Sequence, residues 1–349
     1  MSTTEPLALP VAATTAFPRR RDRAGRVLPL LIRYVLVMFV AVTVNFALPR
    51  MAPGNVVDYL LPPEVAGSLS SADRQDILRQ FELDRGVGRQ YVVYLKNLAT
   101  GDLMVSARYG RPVRDLIAER VGWTVLLVGT SLVIATVIGA LLGFRSGWRR
   151  GGAKDIGMLA GVLLADATPP FFVGSMLLLL FSVRLGWVPT FGARPWEGAR
   201  GLALISGVLQ RLVLPLVTLV VASIGPVFLI ARSAMISEVR EDYLLGAQAR
   251  GLSARQIRRH VQRNALLPVS TVVLLSVGTI VGGATVVETV FSYPGLGRLM
   301  YESIVARDYP VIQGAALLLV LSVVAANLLN DLLYPLLDPR VRRSRKASQ

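Results

Sequence analysis

An all-α, polytopic membrane protein is the fold class this sequence predicts, on three observations. Hydrophobic residues fill 53% of the 349 positions and charged residues only 17%, where a soluble domain carries about a quarter charged residues. The apolar residues gather in runs of roughly 20, the length a helix needs to cross a bilayer core. The basic residues behind the net charge of +16 cluster at the ends of those runs. That distribution excludes a nucleic-acid-binding domain, since no basic, aromatic-studded region stands apart from the spans.

Taken in order, windows at 30–49, 121–144, 156–183, 212–232, 267–290 and 312–335 predict six spans. The run Leu30 to Leu48 follows RRRDRAGR and ends in Pro-Arg. It is long enough to span, and without a small-residue cleavage site it reads as an uncleaved first helix. Orientation follows from basic residues, which favour the cytoplasmic side. Arg19, Arg20, Arg21, Arg23 and Arg26 precede the first span. Arg145, Arg149, Arg150 and Lys154 join the second and third spans, and an Arg-rich segment from Arg232 to Arg263 joins the fourth and fifth. Arg340, Arg342, Arg343, Arg345 and Lys346 follow the sixth. All these fall on one face, so both termini are expected in the cytoplasm.

The expected organisation is therefore a basic cytoplasmic tail (1–29), a first span (30–49) and a partly helical extracytoplasmic segment (50–120). A five-helix transmembrane domain (121–335) with a cytoplasmic loop at 233–266 follows, then a second basic tail (336–349). Between Gly186 and Arg211 the Pro/Gly/Trp-rich stretch WVPTFGARPWEGARG predicts an exterior loop, with Trp187 and Trp196 suited to a membrane interface. GLALISGVLQRL after it is expected to lie along that interface as a turn or two of amphipathic helix.

The most informative segment is DYLLGAQARGLSARQIRRHVQRNALLP, 242–268, a polar and basic stretch between two apolar spans. A helix is expected from Ile236 to Arg250, ended by Gly251, because glycine is favoured just past a helix C-terminus. Ser253 with Gln256 three residues on has capping-box spacing and predicts a second helix. On that helix Ile257, Val261 and Ala265 form an apolar stripe, with Arg255, Arg258, Arg259 and Arg263 on the other faces. Two readings fit. The stripe could rest on anionic lipid, each Arg contributing about 1 kcal/mol near the surface, or the pair of helices could dock a protein. The glycine hinge and the rigid continuation into a span favour docking.

The stretch resembles the cytoplasmic coupling loop of bacterial ABC importer permeases, most closely the dipeptide/oligopeptide/nickel permease family. Asp242, Tyr243, Ala247, Ala249, Gly251, Leu252, Ser253 and the run Arg263 to Pro268 stand at matching places. Leu245 and Gly246 replace the Glu and first Ala of the general importer motif. LPRMAPGN (48–55), the exterior stretches FELDRGVGRQYVVYLKNLATGDL and RYGRPVRDLIAERVGWT, ETVFSYPGLGRLMYESIVARDYPVIQG (288–314) and NLLNDLLYPLLDPRVR (327–342) are similar to the family in order and spacing.

The resemblance implies a type I ABC importer permease fold in the bacterial inner membrane. It implies two ABC ATPase subunits, a second homologous permease subunit (expected as a heterodimer), an extracytoplasmic substrate-binding protein, and a di- or oligopeptide cargo. In that picture Tyr243, Leu244, Ala247 and Leu252 fill an apolar groove of the ATPase and Gly251 permits the turn. Glu238, Asp242, Arg250 and Arg255 make rim contacts.

No ATPase chemistry resides in the chain itself. A phosphate-cradling loop needs Gly-Lys followed by Ser or Thr, and Lys96, Lys154 and Lys346 are followed by Asn, Asp and Ala. ATP and Mg²⁺ are thus expected on the partner subunits and no cofactor on this one. With no Cys and a single histidine, His260, a metal site is not expected, and no catalytic arrangement of residues stands out.

Ionisable residues inside spans are functional candidates, because their burial in lipid is costly. Asp166 in LLADATPPFF stands before Pro169 and Pro170, which interrupt the third span beside Thr168 and free backbone carbonyls. Asp166, Thr168 and Asn45 are the candidates for a translocation path. Asp166 could meet a substrate's amino terminus, or pair with an Arg of another span. Glu288 and Asp331, near span ends, are expected to be structural. Asn45, Asn327 and Asn330 are expected to hydrogen-bond between helices, and Gly278, Gly282 and Gly283 to pack helices tightly. The competing functions are an ion-coupled secondary transporter, an importer for nickel or another small solute, and an intramembrane enzyme.

Overall fold

The computed structural model describes residues 24–51, 85–195, 198 and 200–337, with isolated positions 70, 72 and 75. The basic terminal tails, most of the 50–84 stretch, Trp196 and the final DPRVR lie outside the described residues. Among these described residues ten α-helices follow in order, α1 (Ala24–Met51), α2 (Val87–Ala99), α3 (Val113–Trp148), α4 (Ala153–Ala167) and α5 (Pro170–Leu177, continued as π-helix Leu178–Arg184). The others are α6 (Gly201–Glu238), α7 (Tyr243–Ala249), α8 (Ala254–Val290), α9 (Leu296–Ala306) and α10 (Tyr309–Leu337). Five are long and apolar enough to cross a membrane, and α4 with α5 is apolar enough as a pair but bent by 97° between them, a broken span or a re-entrant loop.

Five of the expected span windows each fall on one helix and the window 156–183 falls on the α4–α5 pair, but two connections differ from expectation. GLALISGVLQRL is not an interfacial turn; it is the start of α6, which runs unbroken for 38 residues through Pro215 and Pro226. The helix expected from Ile236 to Arg250 is broken at Val239–Asp242, so that α6 and α7 are separate. The bend between α4 and α5 has a simple cause. Pro169 and Pro170 lack the N–H groups that would continue the helix, and Thr168 takes an extended conformation (φ −88°, ψ 125°).

The core is organised around α3 and α6, the most extensive helix pair. Their closeness rests on Gly139, Gly143 and Gly147, spaced four apart on one face of α3. A Cβ on Gly143 would lie 2.6 Å from the Phe228 carbonyl oxygen and 2.7 Å from the Ala231 Cβ. Without side chains there, the backbones approach and dispersion contacts accumulate, which is how helices associate where lipid is as apolar as the side chains. The expected tight packing at Gly278 and Gly282 is weaker. Gly278 meets Val323 of α10 at 3.3 Å, and Gly282 faces open space.

At one end, which carries the α6–α7–α8 connection and is termed the elbow end, Arg232 of α6 pairs with Asp155 at the start of α4. At the far end, the buried Glu288 carboxylate accepts from the Thr124 hydroxyl (2.6 Å) and the Arg298 N–H (3.0 Å), which fixes the start of α9. Gly295 is required beside it, since a Cβ would overlap the carboxylate. Asp308 receives the Ser106 hydroxyl and the Arg108 N–H, tying the loop between α2 and α3 to the α9–α10 corner. Tyr34 donates to Asp331 at 2.9 Å, joining α1 to α10. Glu288 and Asp331 are therefore structural, as expected.

Candidate functional site

The elbow, residues 236–268, is built by local rules that the sequence spells out. After α7, Arg250 closes the helix and Gly251 takes φ +76°. The Gly251 N–H donates to the Gln248 carbonyl (2.8 Å) and the Leu252 N–H to the Ala247 carbonyl (3.2 Å), a Schellman turn. A Cβ on Gly251 would meet nothing within 4 Å. Glycine is there for its left-handed backbone and not for close approach. Ser253 caps α8, with its N–H donating to Gln256 Oε1 (2.8 Å) and its hydroxyl accepting from the Gln256 N–H.

What the elbow packs on decides between the two readings of its apolar stripe. Ile257, Val261 and Ala265 are buried against Ala140 and Phe144 of α3 and Val227, Ala231 and Met235 of α6. The stripe covers this chain's own core, so it is not available to lie on lipid. Leu244 and Ala247 of α7 join the same core, 7% and 5% exposed. This corrects the expectation that they fill a partner's groove: in a seven-residue helix laid against a core, the residues at i and i+3 share the inward face. Leu252 is half-buried against that core too.

The face of α7 that points away carries Leu245 (67% exposed), Gly246 and Ala249, flanked by the exposed Asp242, Arg250 and Arg255. Tyr243 is partly exposed, and its hydroxyl is committed within the chain. It donates to Glu238 Oε2 at 2.9 Å, and the Asn264 amide donates to both, at 3.1 Å to Tyr243 and 3.2 Å to Glu238. Burial first, and then the Glu238 hydrogen bond, raise the Tyr243 pKa above the ordinary tyrosine value. Glu238 is thus an internal brace joining α6, α7 and α8. Beside Trp148, Leu245 and Gln248 a cleft of about 260 Å³ opens between α3 and α7.

The second group of candidates is not one site. Asn45 is 6% exposed, and its amide donates to Tyr94 Oη and the Gln313 carbonyl, both at 3.1 Å. It joins α1, α2 and α10 as an interhelical bond, and none of these is the helix that Asp166 packs on. Asp166 ends α4 just before the break, exposed, with its side chain against Gly225 of α6. Thr168 donates to the Leu164 carbonyl at 2.7 Å.

The Ser146–Asp155–Arg232 cluster escaped sequence reasoning, because Asp155 and Arg232 are distant in the chain and each reads as loop charge. Among the described residues no three His, Asp or Glu side chains gather closely enough to hold a metal ion.

Five helices long and apolar enough to cross a membrane, a bent apolar pair and a two-helix elbow at one end define a polytopic membrane protein. The family described as binding-protein-dependent transport system inner membrane component matches residues 135–343, more than half of the chain. The chain belongs to that family. It is 33% identical to the oligopeptide transport system permease protein AppB of Bacillus subtilis, over 85% of this chain and 92% of that protein. It is 34% identical to the glutathione transport system permease protein GsiC of Escherichia coli K12, over 90% of this chain and 98% of that one. A di/tripeptide transport system permease protein, DppB of Pseudomonas aeruginosa, is 35% identical over 86% and 94%. Among solved structures, the inward-facing MetNI methionine ABC transporter shares the fold, with a TM-score of 0.53 at 18% identity over 64% of this chain and 96% of that one.

Proposed function

We propose that this chain is a translocation subunit of an ATP-driven, binding-protein-dependent importer of di- or oligopeptides, with both termini and the elbow in the cytoplasm. Two ABC ATPase subunits, a second homologous permease subunit and an extracytoplasmic binding protein complete the transporter. ATP and Mg²⁺ bind the ATPase subunits, and this chain performs no chemistry. The names of the three relatives above, which are peptide or glutathione permeases, support the cargo.

One observation carries the coupling role. The inward face of α7 is locked into the core shared by α3, α6 and α8, and its outward face, Leu245, Gly246 and Ala249, is apolar, small and exposed. A partner that grips that face moves three spans at once. Closure of the ATPases on nucleotide would then tilt α6 and α8 and switch access from outside to inside. Asp242, Arg250 and Arg255 border the face as rim charges.

Reconstitution tests this directly. Peptide uptake into vesicles should require ATP and the ATPase subunits. Uptake driven by a proton gradient with no nucleotide would overturn the proposal in favour of a secondary transporter.

A further inference from the structure

Of the acidic residues on the spanning helices, Asp155, Asp166, Glu288 and Asp331 lie at or inside the apolar runs, and three of these four have partners. Asp155 is paired with Arg232, Glu288 takes the Thr124 hydroxyl, and Asp331 takes the Tyr34 hydroxyl. Asp166 has no side-chain hydrogen bond or ion pair among the described residues. It is thirteen residues into α4 and lies against Gly225, thirteen residues before the end of α6. Both counts put it roughly 20 Å from the elbow end, well inside a bilayer core of about 30 Å.

Its surroundings accept and do not donate. Asp166 is in the last turn of α4, where the helix dipole is negative and a cation is favoured, and that turn has no basic residue. Pro170 cannot donate to the Asp166 carbonyl, nor Pro226 to that of Ala222. Gly225 lets the carboxylate rest on α6, since a Cβ there would overlap it. A carboxylate, the negative end of a helix and freed carbonyls thus meet on an exposed facet at membrane depth. Facing hydrocarbon, that arrangement would be costly. The nearest basic residue along α6, Arg232, is seven residues on, roughly 10 Å, and is held by Asp155.

We infer that Asp166 is a recognition site for a primary ammonium group on the moving cargo, met halfway across the membrane. This rests on the peptide reading above, in which the ammonium is the free amino terminus. The site is transient: the group leaves when the path opens inward, and a fixed cation would block it.

The test uses the complete transporter, with its ATPase subunits and binding protein, in proteoliposomes. Uptake of trialanine and of N-acetyl-trialanine is measured with wild type, Asp166→Asn and Asp166→Glu, alongside ATP hydrolysis. Asp166→Asn should slow trialanine by about tenfold or more, the loss of one charge-assisted hydrogen bond. ATP hydrolysis and uptake of the acetylated peptide should hold, and Asp166→Glu should restore most of the trialanine rate. If the binding protein admits trialanine alone, rescue by Glu but not Asn decides. Equal loss for both peptides, no loss for either, or release of the second permease subunit from the Asn variant would overturn the inference and leave the peptide reading intact. A wild-type transporter that carries neither peptide would overturn the reading and the inference together.

Discussion

Arg232 and Asp155 form a two-pronged ion pair, Nη2 to Oδ2 at 2.9 Å and Nε to Oδ1 at 3.0 Å, with the carboxylate 2% exposed. The Ser146 hydroxyl and the Gly151 N–H complete the carboxylate's shell. Three helices, α3, α4 and α6, therefore meet at one group at the elbow end. Removing one partner of a buried pair costs about 3–5 kcal/mol, because the other charge stays behind unpaired. Asp155→Ala should accordingly lower the thermal unfolding midpoint of the detergent-solubilised subunit far more than Glu119→Ala, whose Arg111 partner is on the surface. Arg232→Lys should fall between, since an ammonium cannot reproduce the fork. Equal midpoints for all three would show that the pair adds nothing to the fold.

Gly143 offers a test of the α3–α6 seam that no hydrogen bond confuses. An alanine methyl there would meet the Phe228 carbonyl, the Ala231 methyl and, at 3.0 Å, the Arg232 nitrogen. None of these is the free end of a flexible side chain, so the helices must part. Overpacking of this kind costs about 1–3 kcal/mol. Gly143→Ala should reduce folded yield and thermal stability, and Gly282→Ala, which has open space, should be close to neutral.

Tyr243 predicts a pH response with a definite sign. Its pKa is raised in the folded chain, by burial first and then by the hydrogen bond to Glu238. A group raised on folding contributes most below its unfolded value, about 10 for tyrosine, and loses the contribution as pH climbs through the higher folded value. The stability difference between wild type and Tyr243→Phe should therefore stay constant from about pH 6 to about pH 9 and shrink only in stronger alkali. A difference that varied near neutrality would assign the brace to another group.

The five long apolar helices were legible because an apolar run of about 20 residues is the length a helix needs to cross a bilayer core, and the elbow's boundaries were legible because Gly251, Ser253 and Gln256 act through local backbone geometry. The face of α7 that points inward was not. Leu244 and Leu245 are neighbours of equal hydrophobicity, and which of them is buried depends on where α3 and α6 pass, a fact of tertiary packing. The same holds for Gly143 and Gly282, which share small-residue spacing but not a neighbour. Asp155 looked like loop charge because its partner is 77 positions away. Asn45 looked equally apt for a path or a helix–helix bond, and the positions of Tyr94 and Gln313 decided for the bond.

The two leucines of α7 separate coupling from folding. Leu244, 7% exposed in the elbow core, should behave as a core residue. Leu244→Ala removes packed methyl groups at a cost of about 2–5 kcal/mol, and should lower the thermal midpoint of the isolated subunit. Leu245, 67% exposed, touches little within the chain, so Leu245→Asp should leave that midpoint unchanged to within the scatter of surface substitutions, about 0.5 kcal/mol. Placed at the centre of a gripped apolar face, however, an unpaired carboxylate is desolvated on docking, and such a change weakens an interface by about 2 kcal/mol or more. Leu245→Asp should therefore lose most of the ATPase that co-purifies with the wild-type complex, and lose transport with it, while Gln256→Ala on the neighbouring cap weakens folding without selective loss of the ATPase. Full retention of the ATPase by Leu245→Asp would move the docking surface off the outward face of α7, and the cleft beside Trp148 would become the next place to probe.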